Sequence, residues 1–314
     1  MSEVIALTGA TGFVGAELAR RLVGTGYKIQ ALIRPASTWK RPTDLGVNWV
    51  EGDLADLDSL HRLVDGVTAV VHCAGAVRGA TREQFNRVNA DGLGRLVHAA
   101  VNQQPAPRFL LISSLAAREP HLSYYAASKR MGEKLLAENS DRFPWTIYRP
   151  CAVYGPGDRE LLPIFKWMAR GIAPILGSGN ARFSFLYVKD LAEAVVRWLD
   201  CSSCVSDIFE LHDGQPEGYS WHDVVDTFKQ LRNKFVVSVN TPMVLVRLVA
   251  ALNLPVSRFF GYAPMLTPGK VRELSHNDWV CNNAALSNAT GWTPRILLPE
   301  GLRQTLTWDL TINN

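Results

Sequence analysis

The chain has 314 residues, 47% hydrophobic and 20% charged, an ordinary composition for a globular protein with one large domain and a smaller one. A net charge of +4, spread along the chain, argues against a nucleic-acid partner. Five irregularly spaced cysteines argue against a disulfide framework and favour a reducing, cytoplasmic location. The N-terminus carries no leader pattern, and no apolar run reaches the roughly 18 residues of a membrane span.

The first half of the chain alternates short apolar runs with helical patterns. This alternation predicts βαβ units wound into an α/β fold, a doubly wound parallel Rossmann sheet. Strands are predicted at residues 4–8, 28–34, 47–51, 68–73, 109–113 and 145–149, and helices at 12–25, 54–64, 84–102 and 124–139.

The rhythm breaks after Pro150, where Pro and Gly interrupt the helical patterns. We therefore predict a dinucleotide-binding domain at 1–158, completed by about 187–212, and a smaller C-terminal substrate-binding part at 159–186 and 213–314. Helices are expected near 161–170, 188–199, 221–232 and 244–252, and a strand at 208–211 is expected to return to the main sheet.

Three glycines at Gly9, Gly12 and Gly15 join the first predicted strand to the first predicted helix. Such glycines allow a tight turn, a close approach of the backbone to a pyrophosphate, and close helix–strand packing. The N-terminus of the helix would add free N–H groups and positive dipole for the phosphates. The loop therefore predicts a dinucleotide site, with a ligand-free strand-to-helix turn as the alternative.

The segment 8–15 reads Thr-Gly-Ala-Thr-Gly-Phe-Val-Gly and resembles the TGxxGxxG loop of the extended short-chain dehydrogenases/reductases. The resemblance continues through most of the chain and implies an enzyme that binds NAD or NADP. The loop residues implied to contact the cofactor are Gly9, Thr11, Gly12, Phe13, Val14 and Gly15.

The choice between the two cofactors depends on the end of the second strand. Arg34 stands where an acidic residue would bind the ribose hydroxyl of NAD, and an arginine there suits the 2′-phosphate of NADP. We therefore predict NADP, with NAD possible if Arg34 is only a solvated surface residue. The resemblance implies further cofactor contacts at the adenine, the nicotinamide ribose and the carboxamide, from Asp53, Leu54, Cys73, Ala74, Gly75, Pro150 and Val153. A helix N-cap is an equally physical account of Asp53.

Tyr125 and Lys129 are four residues apart, which places both side chains on one face of a helix. A lysine ammonium beside a tyrosine is expected to lower its pKa from about 10, so that the phenol exchanges a proton near neutral pH. Ser114 follows the fifth strand, at the edge of the sheet where ligands bind.

These three residues resemble the Ser–Tyr–Lys triad of the same family. The resemblance implies that Ser114 hydrogen-bonds the substrate oxygen, that Tyr125 donates or accepts a proton, and that Lys129 tunes the tyrosine and binds the ribose. Ser113 and Tyr124 are the alternatives for the first two roles. Asn89 matches the family's helix asparagine.

Two positions point to a less polar substrate than a nucleotide sugar. Ala152 stands where nucleotide-sugar epimerases often have an asparagine, and Phe183 lies in a segment where they often read Arg-Asp-Phe. We predict an NAD(P)-dependent oxidoreductase that moves hydride between nicotinamide and a carbonyl or secondary alcohol of a small molecule. The alternatives are a nucleotide-sugar epimerase or dehydratase, and a non-catalytic cofactor-binding regulator or assembly subunit.

The remaining features have structural explanations. Cys201 and Cys204 have a metal-like spacing but no second Cys or His pair, so no metal site is predicted. Asp190 is expected to cap a helix. Residues 243–254 are apolar except for Arg247 and Asn253, and a core helix of about three turns is expected there. The alternatives are a wall for a lipid-like or polycyclic substrate and a membrane-surface helix. The family also implies a homodimer through the helices at 84–102 and 124–139.

Overall fold

The computed structural model describes residues 3–42, 45–139, 141–177, 180–201 and 206–312, with side chains to residue 309. The strands are Val4–Thr8 (β1), Lys28–Ile33 (β2), Val47–Glu51 (β3), Ala69–His72 (β4), Arg108–Ile112 (β5), Trp145–Pro150 (β6), Ala152–Tyr154 (β7), Ile172–Ile175 (β8), Arg182–Phe183 (β9), Phe185–Tyr187 (β10), Asp207–Leu211 (β11), Val237–Asn240 (β12) and Asp278–Trp279 (β13).

The helices are Phe13–Gly24 (α1), Leu57–Val64 (α2), Arg82–Asn86 (α3), Leu93–Val101 (α4), Tyr124–Ala137 (α5), Leu162–Ala169 (α6), Val188–Asp200 (α7), Trp221–Arg232 (α8), Met243–Phe260 (α9), Pro268–Leu274 (α10), Ala284–Thr290 (α11) and Leu298–Ile312 (α12). A wider π-helical turn, Arg87–Gly92, joins α3 to α4, so the helix predicted at 84–102 is one continuous helical segment.

Seven parallel strands form the main sheet in the order β11-β6-β5-β4-β1-β2-β3. The central strands β4 and β6 are buried throughout, as continuous apolar runs in a parallel sheet require. The strand order reverses between β1 and β4, which is where such sheets bind ligands at the carboxyl ends of their strands. The predicted doubly wound sheet is confirmed, whereas the division into two parts stays a prediction.

Three apolar cores hold the layers together. Helices α1 and α7 cover one face of the sheet around Leu18 and Val195, and α2, α4 and α5 cover the other around Leu96 and Leu136. An aromatic cluster around Tyr154 forms the core beneath α6, α8 and α12. This last core lies beside the carboxyl edge of the sheet, because β7 follows β6 directly.

Two carboxylates that the sequence suggests as helix caps, Asp53 and Asp190, accept hydrogen bonds from other backbone amides. Helix α2 begins at Leu57, three residues later than expected, and its N-cap is Asp56. The Asp53 carboxylate instead accepts from the Ala55 amide at 2.9 Å, so the N-cap alternative for Asp53 is wrong. Asp190 does not cap a helix either. It lies in the first turn of α7 and accepts from the backbone amides of residues 295 and 296, which ties the C-terminal segment to this helix.

Helix α9 corrects the expectation of a short core helix. It spans 18 residues and is long and apolar enough to cross a membrane by length and composition, yet only 17% of it is buried. Val246, Ala250 and Ser257 are its buried residues. The prediction failed because apolar composition was taken to mean burial, and the helix instead presents most of its apolar side chains to solvent.

Candidate active site

The glycine loop connects β1 to α1 through a backbone turn that only glycine adopts easily. Gly9 has φ +77°, and a Cβ there would lie 2.7 Å from the amide nitrogen of Ala74. A Cβ on Gly15 would lie 2.1 Å from the Gly9 carbonyl oxygen, so the start of α1 packs directly on the turn. The N-cap Gly12 is exposed and supplies no side-chain cap, which leaves the first amides of α1 for a ligand.

This cradle fits a dinucleotide pyrophosphate, because a closely packed turn and an uncapped helix N-terminus together form an anion site. Thr11, Phe13 and Val14 are partly buried around it. Phe13 also lies under the loop that follows β7, since a Cβ on Gly157 would be 3.7 Å from the phenyl ring.

The residues predicted for the adenosine half follow the next two strands at the same edge of the sheet. Arg34 is exposed after β2, and among the described residues it forms no ion pair. The nearby Arg41 is paired with Glu51 at 2.6 Å, so Arg34 is the better placed cation for a phosphate. Leu54 follows β3 and packs against Gly92, where a Cβ would be 3.0 Å from the leucine Cβ.

Cys73, Ala74 and Gly75 leave the carboxyl end of β4 beside Lys129. A Cβ on Gly75 would lie 3.1 Å from Lys129 Nζ. Burial raises the pKa of the Cys73 thiol to about 11, so this cysteine stays protonated near neutral pH. Burial likewise lowers the pKa of His72 to about 3, and its neutral ring pairs with Thr8 at 2.8 Å. Neither side chain therefore adds charge to this segment near neutral pH.

Asn89 holds this segment to α5. Its amide oxygen accepts from the Ala76 amide at 2.8 Å, and its amide nitrogen donates to the Ala76 carbonyl and to Ser128 Oγ at 3.0 and 2.9 Å. The wider turn between α3 and α4 contains Asn89. The side chain acts by positioning the strand end against the helix that carries Tyr125 and Lys129.

The phenol of Tyr125 and the hydroxyl of Ser114 lie close together at the carboxyl edge of β5. Burial raises the pKa of Tyr125 to about 12, the nearby Ser114 hydroxyl lowers it, and the charge of Glu273 raises it. Lys129 is buried in α5 and donates to the Ile112 carbonyl at 3.2 Å. The role of Lys129 in tuning the pKa of Tyr125 stays a prediction. Burial lowers the pKa of Lys129 itself.

The structure separates the candidate serines and tyrosines. Ser113 is buried and donates to Glu133 at 2.7 Å, whereas Ser114 is partly exposed. Tyr124 is exposed and stacks under the Arg82 guanidinium, 5.2 Å from the ring centroid. Ser114 and Tyr125 are therefore the members of each pair that face the site, and their catalytic roles stay a prediction.

A buried ion pair beneath the site was missed by sequence reasoning. Glu133 accepts two hydrogen bonds from the Arg149 guanidinium, at 2.9 and 2.6 Å, which fix α5 against β6. Both side chains are buried. The spacing of Tyr125, Lys129 and Glu133, each four residues after the last, was the available signal, since it puts the acid on the catalytic face of the helix.

A second connection joins the start of α5 to α10. Ser123 caps α5 through the Ala126 amide and also donates to the Glu273 carboxylate. A Cβ on Gly269 would be 2.9 Å from Ser123 Cβ, so α10 packs directly on this helix end. Helix α10 thereby forms one side of the catalytic neighbourhood, which the sequence did not reveal.

The predicted carboxamide contacts leave the neighbouring strand. Pro150 is buried at the end of β6, and Val153 lies in β7, where it pairs with residue 186 of β10. Together with Gly9, Gly75 and Ser114 these residues occupy the carboxyl edge of the strands. The structure thus brings the predicted cofactor and catalytic segments to one edge.

The cysteine pair falls only partly within the structure. Cys201 is partly buried and its thiol donates to the Ala289 carbonyl at 3.4 Å, whereas Cys204 lies outside the described residues. Within the described ranges, no three His, Cys, Asp or Glu side chains form a group that could hold a metal ion.

The fold and the site define an enzyme that binds a nicotinamide dinucleotide at the switch point of a Rossmann sheet. Residues 5–208 match the profile of the NAD dependent epimerase/dehydratase family, and the chain belongs to this family. The identification as an oxidoreductase of the extended short-chain dehydrogenase/reductase type is therefore confirmed.

The curated relatives include reductases matched over nearly their full length. The chain is 36% identical to a ceramide reductase of Caulobacter vibrioides over 97% of this chain and 94% of that protein. It is 27% identical to a 2-alkyl-3-oxoalkanoate reductase of Stenotrophomonas maltophilia, over 96% and 97%. Among solved structures, MoeE5 in complex with UDP-glucose and NAD superposes with a TM-score of 0.76 at 21% identity over 100% of both chains, which shows the shared fold.

Proposed function

We propose that this enzyme is an NADP(H)-dependent reductase of a carbonyl group on a long-chain, lipid-like substrate. The observation that carries the reduction chemistry is the placement of the Tyr125 phenol beside the Ser114 hydroxyl, with Ser113 held away by Glu133. A phenol and a hydroxyl that meet at the sheet edge can together bind one substrate oxygen.

The chemistry needs one hydride and one proton for each carbonyl. A reduced nicotinamide held at this edge of the sheet would supply the hydride for the carbonyl carbon. Ser114 hydrogen-bonds the carbonyl oxygen, and Tyr125 donates its phenolic proton to that oxygen as the secondary alcohol forms. The raised pKa keeps Tyr125 protonated, which suits an acid in the reducing direction. Lys129, held by the Ile112 carbonyl, stays next to the Gly75 backbone, where the ribose is proposed to bind.

NADP is the proposed cofactor because of the charge at the end of β2. Arg34 is exposed there, and a guanidinium binds a 2′-phosphate through charge-assisted hydrogen bonds. Glu51, which lies opposite Ile33 on the neighbouring strand, is already paired with Arg41.

The substrate class is inferred from two apolar positions and from the two reductase relatives. Ala152 is exposed and Phe183 is partly exposed, and each stands where nucleotide-sugar epimerases often have a polar group. One relative, 36% identical, is named for ceramide reduction, which favours a long-chain keto-lipid.

The test is a substrate panel followed by NADPH absorbance, with keto-lipids of ceramide type, short water-soluble ketones and nucleotide sugars. Turnover of the keto-lipids with NADPH, and its loss in Tyr125→Phe, is expected. Interconversion of nucleotide sugars without net cofactor oxidation would replace this proposal by the epimerase alternative.

We also propose a homodimer through α4 and α5. Met131 of α5 is 44% exposed and supplies an apolar contact for such an interface. Light scattering should give twice the chain mass of 34.7 kDa, and Met131→Glu should return the monomer mass. A monomeric wild-type protein would end this proposal.

A further inference from the structure

Helix α9 presents a continuous apolar face to solvent. We call this surface the α9 face; its large apolar side chains are all exposed, with Phe259 at 84%, and they are Val244, Leu245, Leu248, Val249, Leu252, Val256, Phe259 and Phe260. At about 100° per residue these positions fall within one arc of roughly 160°. A patch of this kind on a protein surface marks an interaction site.

The opposite side of α9 is attached to the fold. Val246 and Ala250 are buried and pack with Val271 of α10. Asn253 donates from its amide to the Leu266 carbonyl at 2.9 Å. The helix therefore lies along the protein surface, with its orientation fixed and the α9 face pointing outward.

The chain segment around α9 is basic, and two of its lysines, Lys229 and Lys270, are paired with Asp226 and Glu273 just outside it. Residues 227–272 contain no Asp or Glu, and their basic residues are Lys229, Arg232, Lys234, Arg247, Arg258, Lys270 and Arg272. The whole chain carries only +4, so the positive charge is concentrated in this segment. Arg247 and Arg258 are exposed and, by the helical period, lie together along one border of the α9 face.

An apolar helix face bordered by arginines matches the composition of an anionic lipid surface. Acyl chains accept the apolar side chains, and anionic headgroups attract the arginines at the border. A second copy of the same segment would bring like charges together, which disfavours self-association through this face. We propose that the α9 face docks the enzyme on an anionic lipid bilayer, with α9 lying in the plane of the membrane surface.

The docked helix lies close to the catalytic residues. It packs on α10, and α10 packs on the start of α5 through Gly269 and the bond between Glu273 and Ser123. Tyr125 is two residues further along the chain. If the proposed function holds, the bilayer would then lie next to the place where a lipid carbonyl is reduced; the docking itself does not depend on that function.

The test is co-sedimentation of the full chain with phosphatidylcholine vesicles, with and without phosphatidylglycerol. Wild-type protein should bind the anionic vesicles at least about tenfold more tightly than the neutral ones, because each arginine near such a surface contributes about 1 kcal/mol. The double variant Leu248→Glu/Leu252→Glu should lose at least about tenfold in binding, because it places charge on the apolar face. Arg247→Glu/Arg258→Glu should bring anionic binding down to the neutral level.

Leu57→Glu is the matched control, because Leu57 is an exposed leucine on α2. This variant should bind vesicles as the wild type does. Thermal unfolding and the turnover of a water-soluble ketone should be the same in all these variants, which separates a failure of docking from a failure of the enzyme. If the wild type binds anionic vesicles but reduces no ketone, the proposed function is wrong and the docking proposal still stands.

Three outcomes would overturn the proposal. The α9 face has no role in binding if the wild-type protein stays in the supernatant. The same holds if the wild type and Leu248→Glu/Leu252→Glu sediment with the vesicles to the same extent. Release by detergent but not by high salt or alkaline wash would make α9 a spanning helix. A wild-type dimer that becomes a monomer in the same double variant, without vesicle binding, would make the occupant a second copy of this chain.

Discussion

Ser113 donates its hydroxyl to the Glu133 carboxylate at 2.7 Å, and this bond distinguishes it from its neighbour. Ser113 is buried at the end of β5, whereas Ser114 is partly exposed and lies beside Tyr125. The two serines are adjacent in sequence, so only their partners decide which one can meet a substrate.

The serine pair gives the first prediction. Ser114→Ala should lower kcat/KM for carbonyl reduction by about 100-fold or more, because one hydrogen bond to the developing alkoxide is lost. Ser113→Ala should keep kcat/KM within a few-fold but lower the free energy of unfolding by about 1–3 kcal/mol, because a buried carboxylate loses a donor. Steady-state kinetics and denaturant unfolding of both variants check this. Equal losses of kcat/KM in the two variants would show that Ser113 also takes part in the reaction.

The second prediction concerns pH. Because burial raises the pKa of Tyr125 to about 12, the phenol is protonated throughout the neutral range. Carbonyl reduction requires this protonated form, so its kcat/KM should be level between about pH 6 and pH 9. Alcohol oxidation requires the phenolate, so its kcat/KM should rise about tenfold per pH unit over the same range. An inflection near neutrality in the reductive profile would show that Lys129 lowers the pKa after all.

The third prediction compares two glycines of α1. Gly15→Ala should abolish NADPH binding or folding, because its Cβ would lie 2.1 Å from the Gly9 carbonyl oxygen. Gly24→Ala has nothing within 4 Å of the new Cβ and should stabilise the protein by about 0.5–1 kcal/mol. Fluorescence titration with NADPH and thermal unfolding measure both effects. Normal cofactor affinity in Gly15→Ala would contradict the role of the cradle.

The fourth prediction tests the cofactor. Arg34→Asp should raise the KM for NADPH by at least about tenfold and lower that for NADH, because the carboxylate repels the 2′-phosphate and accepts from a ribose hydroxyl. Arg41→Ala, close by but paired with Glu51, should change neither KM by more than about threefold. A wild-type preference for NADH would reject NADP directly.

The fifth prediction concerns the ion pair under the site. Arg149→Ala should cost about 3–5 kcal/mol of unfolding free energy, because it leaves Glu133 charged and buried. Arg130 also contacts Glu133, at 3.2 Å, but is 40% exposed. Arg130→Ala should therefore cost no more than about 1 kcal/mol. Similar losses of unfolding free energy in Arg149→Ala and Arg130→Ala would mean that burial does not decide how much each arginine stabilises Glu133.

Features written in local sequence could be predicted. The alternation of strands and helices, the glycine turn and the spacing of Tyr125 and Lys129 depend on periods of a few residues. The meeting of Ser114 with Tyr125 followed from one topological rule, that parallel strands end at a common edge.

Features that depend on distant partners could not be predicted. Asp190 bonds to amides more than a hundred residues away, and Glu133 finds Arg149 across a helix–sheet interface. The burial of helix α9 was predicted wrongly for a different reason. Apolar composition cannot distinguish a face buried in the core from a face exposed at an interaction surface.

The pairing of β11 with β6 has a consequence for biosynthesis. The last strand of the sheet ends at Leu211, about sixty residues after β6. At the usual 5–20 residues per second, roughly 3–12 s pass between the emergence of the two strands from the ribosome. During that time β6 offers an open row of backbone donors and acceptors to other nascent chains. Truncated chains that end before residue 207 are therefore expected to aggregate. Chains that include β11 pair it with β6 and cover these backbone groups.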